Sequence, residues 1–158
     1  MAQWAIMSFS AHPAPLGSAA KPARRGRVLI VEDDPEATLF ATLVLRERGR
    51  FEVTHTADPA VVLLLATSRP WDLVLTDVDL PVMSGLELLA ALRALTPGVP
   101  VLLVTASPAR AFPDAPDPAG HPGTSAGARP DGLLIKPFRA EQLLTAAALL
   151  AGGGRRAG

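Results

Sequence analysis

The stretch Asp72-Leu73-Val74-Leu75-Thr76-Asp77-Val78-Asp79-Leu80-Pro81-Val82-Met83-Ser84-Gly85 decides the fold. Its opening, Asp72–Thr76, is a short run of strand formers, and Asp77 closes it. A carboxylate at the C-terminal end of a buried parallel strand sits at the ligand-binding rim of an open α/β sheet. It is also held rigidly, as a phosphoacceptor, metal ligand or catalytic base must be. Taken alone, Asp77 reads as a strand-end carboxylate that caps the following turn. The segments around it decide otherwise.

Working outward, the chain alternates in type. Arg27–Val31 is a short apolar strand. Asp34-Pro35 then supplies an N-cap with proline at the first helical position. Leu39, Phe40, Leu43, Val44 and Leu45 mark a helix that ends near Gly49. Phe51–His55 alternates as a second strand, and Asp58-Pro59 opens a second helix that runs to about Thr67. After the third strand, Ser84-Gly85-Leu86-Glu87 is a capping box. Leu86, Leu88, Leu89, Leu92 and Leu95 carry that third helix to Pro97-Gly98. Val99–Val104 and Gly132–Ile135 read as the fourth and fifth strands, and Arg139–Leu150 as a final amphipathic helix. Short apolar strands separated by capped helices imply βαβ units and an α/β fold, a doubly wound parallel sheet covered on both faces. Right-handed crossovers bring all strand C-termini to one edge, where ligands bind.

The flanks differ from this core. Residues 1–26 are rich in Ala, Pro, Ser and Gly, and we expect a disordered extension there. Residues 151–158 read as a flexible Gly/Arg tail. The expected folded domain is residues 27–150. Between Ala106 and Gly132 there are six prolines, and each internal proline costs a helix about 3 kcal/mol. The expected connection is a long irregular loop with at most one turn of helix near Pro108–Phe112.

Composition narrows the function classes. Fifteen basic and fifteen acidic residues cancel, which gives no general electrostatic case for nucleic acid or an anionic membrane. The chain has no cysteine, so disulfides and thiolate metal sites are excluded. No apolar run approaches transmembrane length, and the N-terminus reads poorly as a signal peptide, so a cytoplasmic protein is expected. Thirteen of the fifteen basic residues are Arg, and the two lysines are Lys21 and Lys136. Lys136, directly before Pro137, fits a site that needs a compact ammonium rather than a guanidinium fork.

Four strand ends meet at the C-terminal edge. They carry Glu32-Asp33-Asp34, Asp77, Thr105-Ala106 and Lys136-Pro137. Like charges about 4 Å apart repel by about 4 kcal/mol at an effective dielectric near 20, so such a carboxylate cluster needs a cation. Hard oxygen ligands without cysteine point to Mg²⁺, which keeps waters and takes a phosphate oxygen. Thr105 can donate to a phosphoryl oxygen and Lys136 can neutralise another. Asp77 is then a nucleophile suited to forming an aspartyl phosphate. Each residue also has a plainer reading. Thr105 alone is an ordinary β-branched strand residue, Lys136 a surface lysine, Asp34 a helix cap and the Asp79 side chain a solvated turn residue. His55 reads as a rim residue, and His12 and His121 receive no role.

Taken together, Val28-Leu-Ile-Val-Glu-Asp-Asp-Pro35, Asp77-Val-Asp-Leu-Pro-Val-Met-Ser-Gly85, Val104-Thr105-Ala106 and Ile135-Lys136-Pro137-Phe138 resemble the receiver domains of two-component response regulators. The resemblance covers about residues 27–150. It implies a flavodoxin-like, five-stranded sheet in the order 2-1-3-4-5 and a phosphoryl group donated to Asp77 by a histidine kinase or histidine phosphotransfer protein. It further implies Mg²⁺ held by Asp33, Asp77 and the backbone carbonyl of Asp79, with Glu32 acting through water. Thr105 and Ala106 would form the switch, Lys136 would bind phosphate, and the Lys136-Pro137 bond would be cis. The implied partner is that kinase or phosphotransfer protein; we further expect a downstream protein target, no nucleic acid, and a monomer or weak homodimer.

Two features depart from that pattern. Receivers usually carry an aromatic switch residue three positions before the lysine; here it is Leu133, and the chain has no Tyr. Thr105 and Lys136 lie 31 positions apart, and the usual fourth helix is poorly encoded, short or replaced by the Pro-rich loop. We expect a single-domain, non-enzymatic phosphoacceptor whose phosphorylation orders or repositions residues 106–132. The alternatives are a degenerate receiver that acts as a protein-binding module and, from Asp77-Val78-Asp79, a haloacid-dehalogenase-like phosphatase. The last leaves Glu32-Asp33 unexplained.

Overall fold

The computed structural model describes residues 25–111 and 128–153. Five parallel strands, β1 (Arg27–Val31), β2 (Glu52–Thr56), β3 (Leu73–Asp77), β4 (Val101–Thr105) and β5 (Gly132–Ile135), form one sheet in the order β2-β1-β3-β4-β5. Helices α1 (Pro35–Leu43), α2 (Pro59–Ser68), α3 (Gly85–Leu95), α4 (Pro108–Ala111) and α5 (Ala140–Gly153) complete the described fold. This is the doubly wound architecture expected from the sequence.

Local chemistry sets the helix starts. The Asp34 carboxylate accepts from the Glu36 amide at 2.9 Å and that of Asp58 from the Ala60 amide at 2.8 Å, each followed by proline at the first helical position. Ser84 and Glu87 form a reciprocal capping box. After α1 the chain widens into a π-helical turn, Val44–Arg48, closed by the Gly49 amide on the Val44 carbonyl.

Alternation along the strands divides the core into two layers. Val28 and Ile30 face α1 and α5, packing with Leu45, Leu143 and Ala147. Leu29 and Val31 face α2 and α3, packing with Val62, Leu88 and Leu92. Every residue of β3 and β4 is buried, the signature of strands covered on both faces.

Several boundaries shift from the sequence expectations. β4 starts at Val101 rather than Val99, because the Val99 amide closes a turn onto Thr96 and Pro100 has no amide to give. In α1, Leu39 and Leu43 are exposed while Ala41, and Val44 and Leu45 in the π-helical turn that follows, are buried against the core. Helix α5 runs past its expected end at Leu150 to Gly153, with Ala151 buried. The fourth helix is short: α4 has four residues. Most of the expected N-terminal extension, the centre of the 106–132 connection and the end of the C-terminal tail lie outside the described residues. Gly26, placed in the expected extension, is buried and its carbonyl accepts from the Glu52 amide.

Candidate functional site

The parallel ladder brings the ends of β1, β3, β4 and β5 to one edge. Asp77 is the last residue of β3, and its register partner on β4 is Val104. The chain stays pinned beyond it, since the Val78 amide donates to the Val104 carbonyl and the Lys136 amide to the Thr105 carbonyl. Lys136 therefore emerges beside β4, and its bond to Pro137 is cis.

Glu32, Asp77 and Lys136 meet. The Lys136 ammonium donates to Asp77 Oδ2 at 2.5 Å and to Glu32 Oε2 at 3.0 Å. Asp77 and Glu32 are 6% and 3% exposed, so two carboxylates are buried side by side with one ammonium between them. The repulsion anticipated from the sequence is relieved by Lys136 itself. The other Asp77 oxygen, Oδ1, accepts from the Asp79 amide at 2.9 Å. Glu32 Oε1 accepts from the Asp34 amide at 3.1 Å, and His55 Nε2 donates to the Glu32 carbonyl at 2.8 Å.

These contacts set the protonation chemistry. Burial pushes Glu32 above its ordinary range, and the hydrogen bond from Lys136 only partly offsets it. At Lys136, burial pulls the ammonium down, but the hydrogen bonds to Asp77 and Glu32 together hold it above its ordinary range. The two partners move in the same direction because desolvation prevails at the more buried Glu32 and pairing prevails at Lys136.

The remaining sequence candidates lie close by with different partners. Asp33 is exposed, and its carboxylate takes no hydrogen bond from the described residues. Thr105 is fully buried; its hydroxyl accepts from the Ser107 amide at 2.9 Å and donates to the Ser107 carbonyl at 3.1 Å. Ala106 is exposed, and Leu133 packs against the layer under α2 and α3. The Asp79 carboxylate, read from the sequence as a solvated turn group, is 45% exposed and also accepts from Arg110 Nη1 on α4 at 2.5 Å. The two side chains are 66% and 45% exposed, so this pair contributes about 0–1 kcal/mol.

Sequence reasoning missed Arg110 and the role of Gly85. Nothing in the sequence marks Arg110 among thirteen arginines. Gly85 had a signal, a poor helix former at the first position of a capped helix. A Cβ there would fall 2.1 Å from the Asp77 carbonyl oxygen.

The donors fit Mg²⁺ by type. Asp33, Asp77 and the Asp79 carbonyl offer hard oxygens, and among the described residues no hydrogen bond occupies the exposed Asp33 carboxylate. No three His, Cys, Asp or Glu side chains among the described residues form a ready cage. Mg²⁺ needs none, since it binds through one or two carboxylates and keeps its waters.

Similarity to known proteins agrees with the geometry. Residues 28–148 match the response regulator receiver domain. The chain is 37% identical over 117 residues to the probable transcriptional regulatory protein TcrX of Mycobacterium tuberculosis, covering 74% of this chain and 46% of the relative. It is 35% identical to the DNA-binding response regulator MtrA of Mycolicibacterium smegmatis, covering 76% of this chain and 48% of the relative. The chain thus spans about half the length of these curated relatives. Among solved structures, the receiver domain of the Pseudomonas aeruginosa sensor histidine kinase PA1611, with a magnesium ion in its active-site cleft, superposes with a TM-score of 0.68. It is 25% identical and covers 82% of this chain and 99% of that chain. The chemotaxis response regulator CheY4 of Vibrio cholerae superposes with a TM-score of 0.64 at 27% identity, covering 80% of this chain and 99% of that one. By its four strand-end motifs, its sheet order and its sequence, the chain belongs to the response regulator receiver domain family.

Proposed function

We propose that Asp77 accepts a phosphoryl group from the phosphohistidine of a sensor kinase or histidine phosphotransfer protein, and that the chain then signals by protein contact. The observation that carries this reading is the double hold on Asp77. Lys136 grips one carboxylate oxygen and the Asp79 amide the other, so the carboxylate is oriented before a donor arrives.

In the transfer, an Asp77 oxygen attacks phosphorus as the phosphorus–nitrogen bond breaks, and the electron pair stays on the departing histidine nitrogen. Lys136 follows the charge onto a phosphoryl oxygen while keeping its contact with Glu32. Thr105 joins by exchanging the Ser107 carbonyl for a phosphoryl oxygen. Asp33, Asp77 and the Asp79 carbonyl would hold Mg²⁺, with Glu32 acting through water. The ion supplies electrostatic stabilisation of the transferring group. Beyond losing its own phosphoryl group by hydrolysis, the chain performs no catalysis in this account.

The balanced charge supports a protein rather than a nucleic-acid partner. No described helix is long and apolar enough to cross a membrane. The DNA binding in the name of MtrA belongs to a protein of which this chain covers 48%.

Incubation with a small phosphodonor and Mg²⁺ followed by intact-mass measurement tests the proposal. A labile phosphoryl adduct is expected, and Asp77→Asn should abolish it. A second reading, a binding module that works without phosphorylation, draws on Leu133 at the aromatic position and on the engagement of Thr105 with Ser107. It predicts neither adduct nor Mg²⁺ binding.

A further inference from the structure

Lys136 is not the only cation that bears on the phosphoacceptor loop. Arg110 reaches it from α4, donating through Nη1 to Asp79 Oδ1 at 2.5 Å, and the amide of the same Asp79 donates to Asp77 Oδ1 at 2.9 Å. One residue therefore separates the guanidinium from the phosphoacceptor. With its side chain 66% exposed, Arg110 is free of the packing that would pin it.

The backbone beneath Arg110 is tied to Thr105. The Ser107 carbonyl accepts both the Arg110 amide and the Thr105 hydroxyl, each at 3.1 Å. Ala111, the next residue, is 2% exposed and anchors α4 in the layer under α2 and α3. A change at Thr105 is thereby felt by the turn that carries Arg110.

Phosphorylation places about −1.5 to −2 charges and three strong acceptor oxygens at the carboxylate next to Asp79. A guanidinium is a planar fork of five donors that matches phosphate geometry, whereas an ammonium binds as a point charge. The exposed Asp79 carboxylate carries half that charge or little more, so it is the weaker of two competing acceptors.

We propose that Arg110 is a phosphoryl-binding residue: when Asp77 is phosphorylated, its guanidinium transfers from the Asp79 carboxylate to the phosphoryl oxygens and draws α4 toward the site. This rests on Asp77 being the phosphoacceptor. It gives α4 a direct readout of phosphorylation in a chain whose switch position holds Leu133.

The test is the affinity for beryllofluoride, a phosphoryl mimic, at saturating Mg²⁺ in wild type, Arg110→Ala, Arg110→Lys, Asp79→Asn and the double variant Asp79→Asn/Arg110→Ala. Arg110→Ala should weaken binding about tenfold, the loss of a charge-assisted hydrogen bond at an exposed site. Arg110→Lys should fall in between. Asp79→Asn should tighten binding more when Arg110 is present than when it is Ala. Equal affinities within twofold for wild type and Arg110→Ala overturn the inference, and so does a loss confined to thermal stability. If wild type binds no beryllofluoride and forms no adduct at Asp77, the phosphoacceptor reading fails first and takes this one with it.

Discussion

The Gly85 backbone lies against the Asp77 carbonyl: a Cβ at position 85 would stand 2.1 Å from that oxygen and 2.9 Å from Val78 Cα. The Gly85 amide also donates to the Val78 carbonyl. The N-terminus of α3 is thus docked on the backbone that carries Asp77. Both obstacles are backbone atoms, so no side-chain motion can relieve the clash. Gly85→Ala should cost at least about 2 kcal/mol by urea unfolding and weaken Mg²⁺ binding. A variant of wild-type stability would show that this approach is looser than described.

Removing Lys136 leaves two buried carboxylates without their shared cation. Lys136→Met should lower stability in metal-free buffer by about 1–3 kcal/mol, since a buried charged acceptor loses its donor. Mg²⁺ should then raise the melting temperature more in the variant than in wild type, because the ion replaces the lost ammonium. Equal Mg²⁺ effects would mean that Lys136 and the metal do not share Asp77.

The shift at Glu32 has a definite sign. Its folded pKa lies above the ordinary value of 4.5, so the folded state binds this proton more tightly than the unfolded state does. The stability it contributes is complete below 4.5 and is lost as pH rises through the higher folded value. Glu32→Gln cannot lose it. In chelator-treated buffer the variant should therefore gain on wild type as pH rises through that window, measured as the difference between unfolding free energies. A gap independent of pH contradicts the account.

Arg93 clasps the start of β5 to the end of α3. It donates to the Val99 and Arg129 carbonyls and to Asp131, whose carboxylate also accepts from the Val101 amide. Arg93→Ala should cost about 1–2 kcal/mol through the hydrogen bonds it loses and speed amide exchange at Asp131 while leaving exchange in β1 unchanged. Exchange across residues 106–132, with and without beryllofluoride, also tests whether phosphorylation reorganises that connection. Unchanged protection there would sink that expectation.

The fold was legible because its signals are local. Asp34-Pro35, Asp58-Pro59 and Ser84 through Glu87 state where helices start, and apolar runs state which strands are buried. Asp77, Glu32 and Lys136 were legible because each ends a strand, and parallel topology brings strand ends together. The Asp79–Arg110 pair was not, since it joins residues 31 positions apart through a helix of four residues. The outward turn of Leu39 and Leu43 was hidden for a related reason: five apolar residues spaced from Leu39 to Leu45 do not say which of them the sheet will accept.

The central claim is that Asp77 carries the phosphoryl group. Borohydride reduces an acyl phosphate to an alcohol, so treating the phosphodonor-exposed, Mg²⁺-loaded protein and mapping its peptides by mass reads the site directly. Phosphorylation of Asp77 predicts homoserine at position 77 and unmodified carboxylates at 33 and 79. Modification at either of those positions, or none at 77, contradicts it.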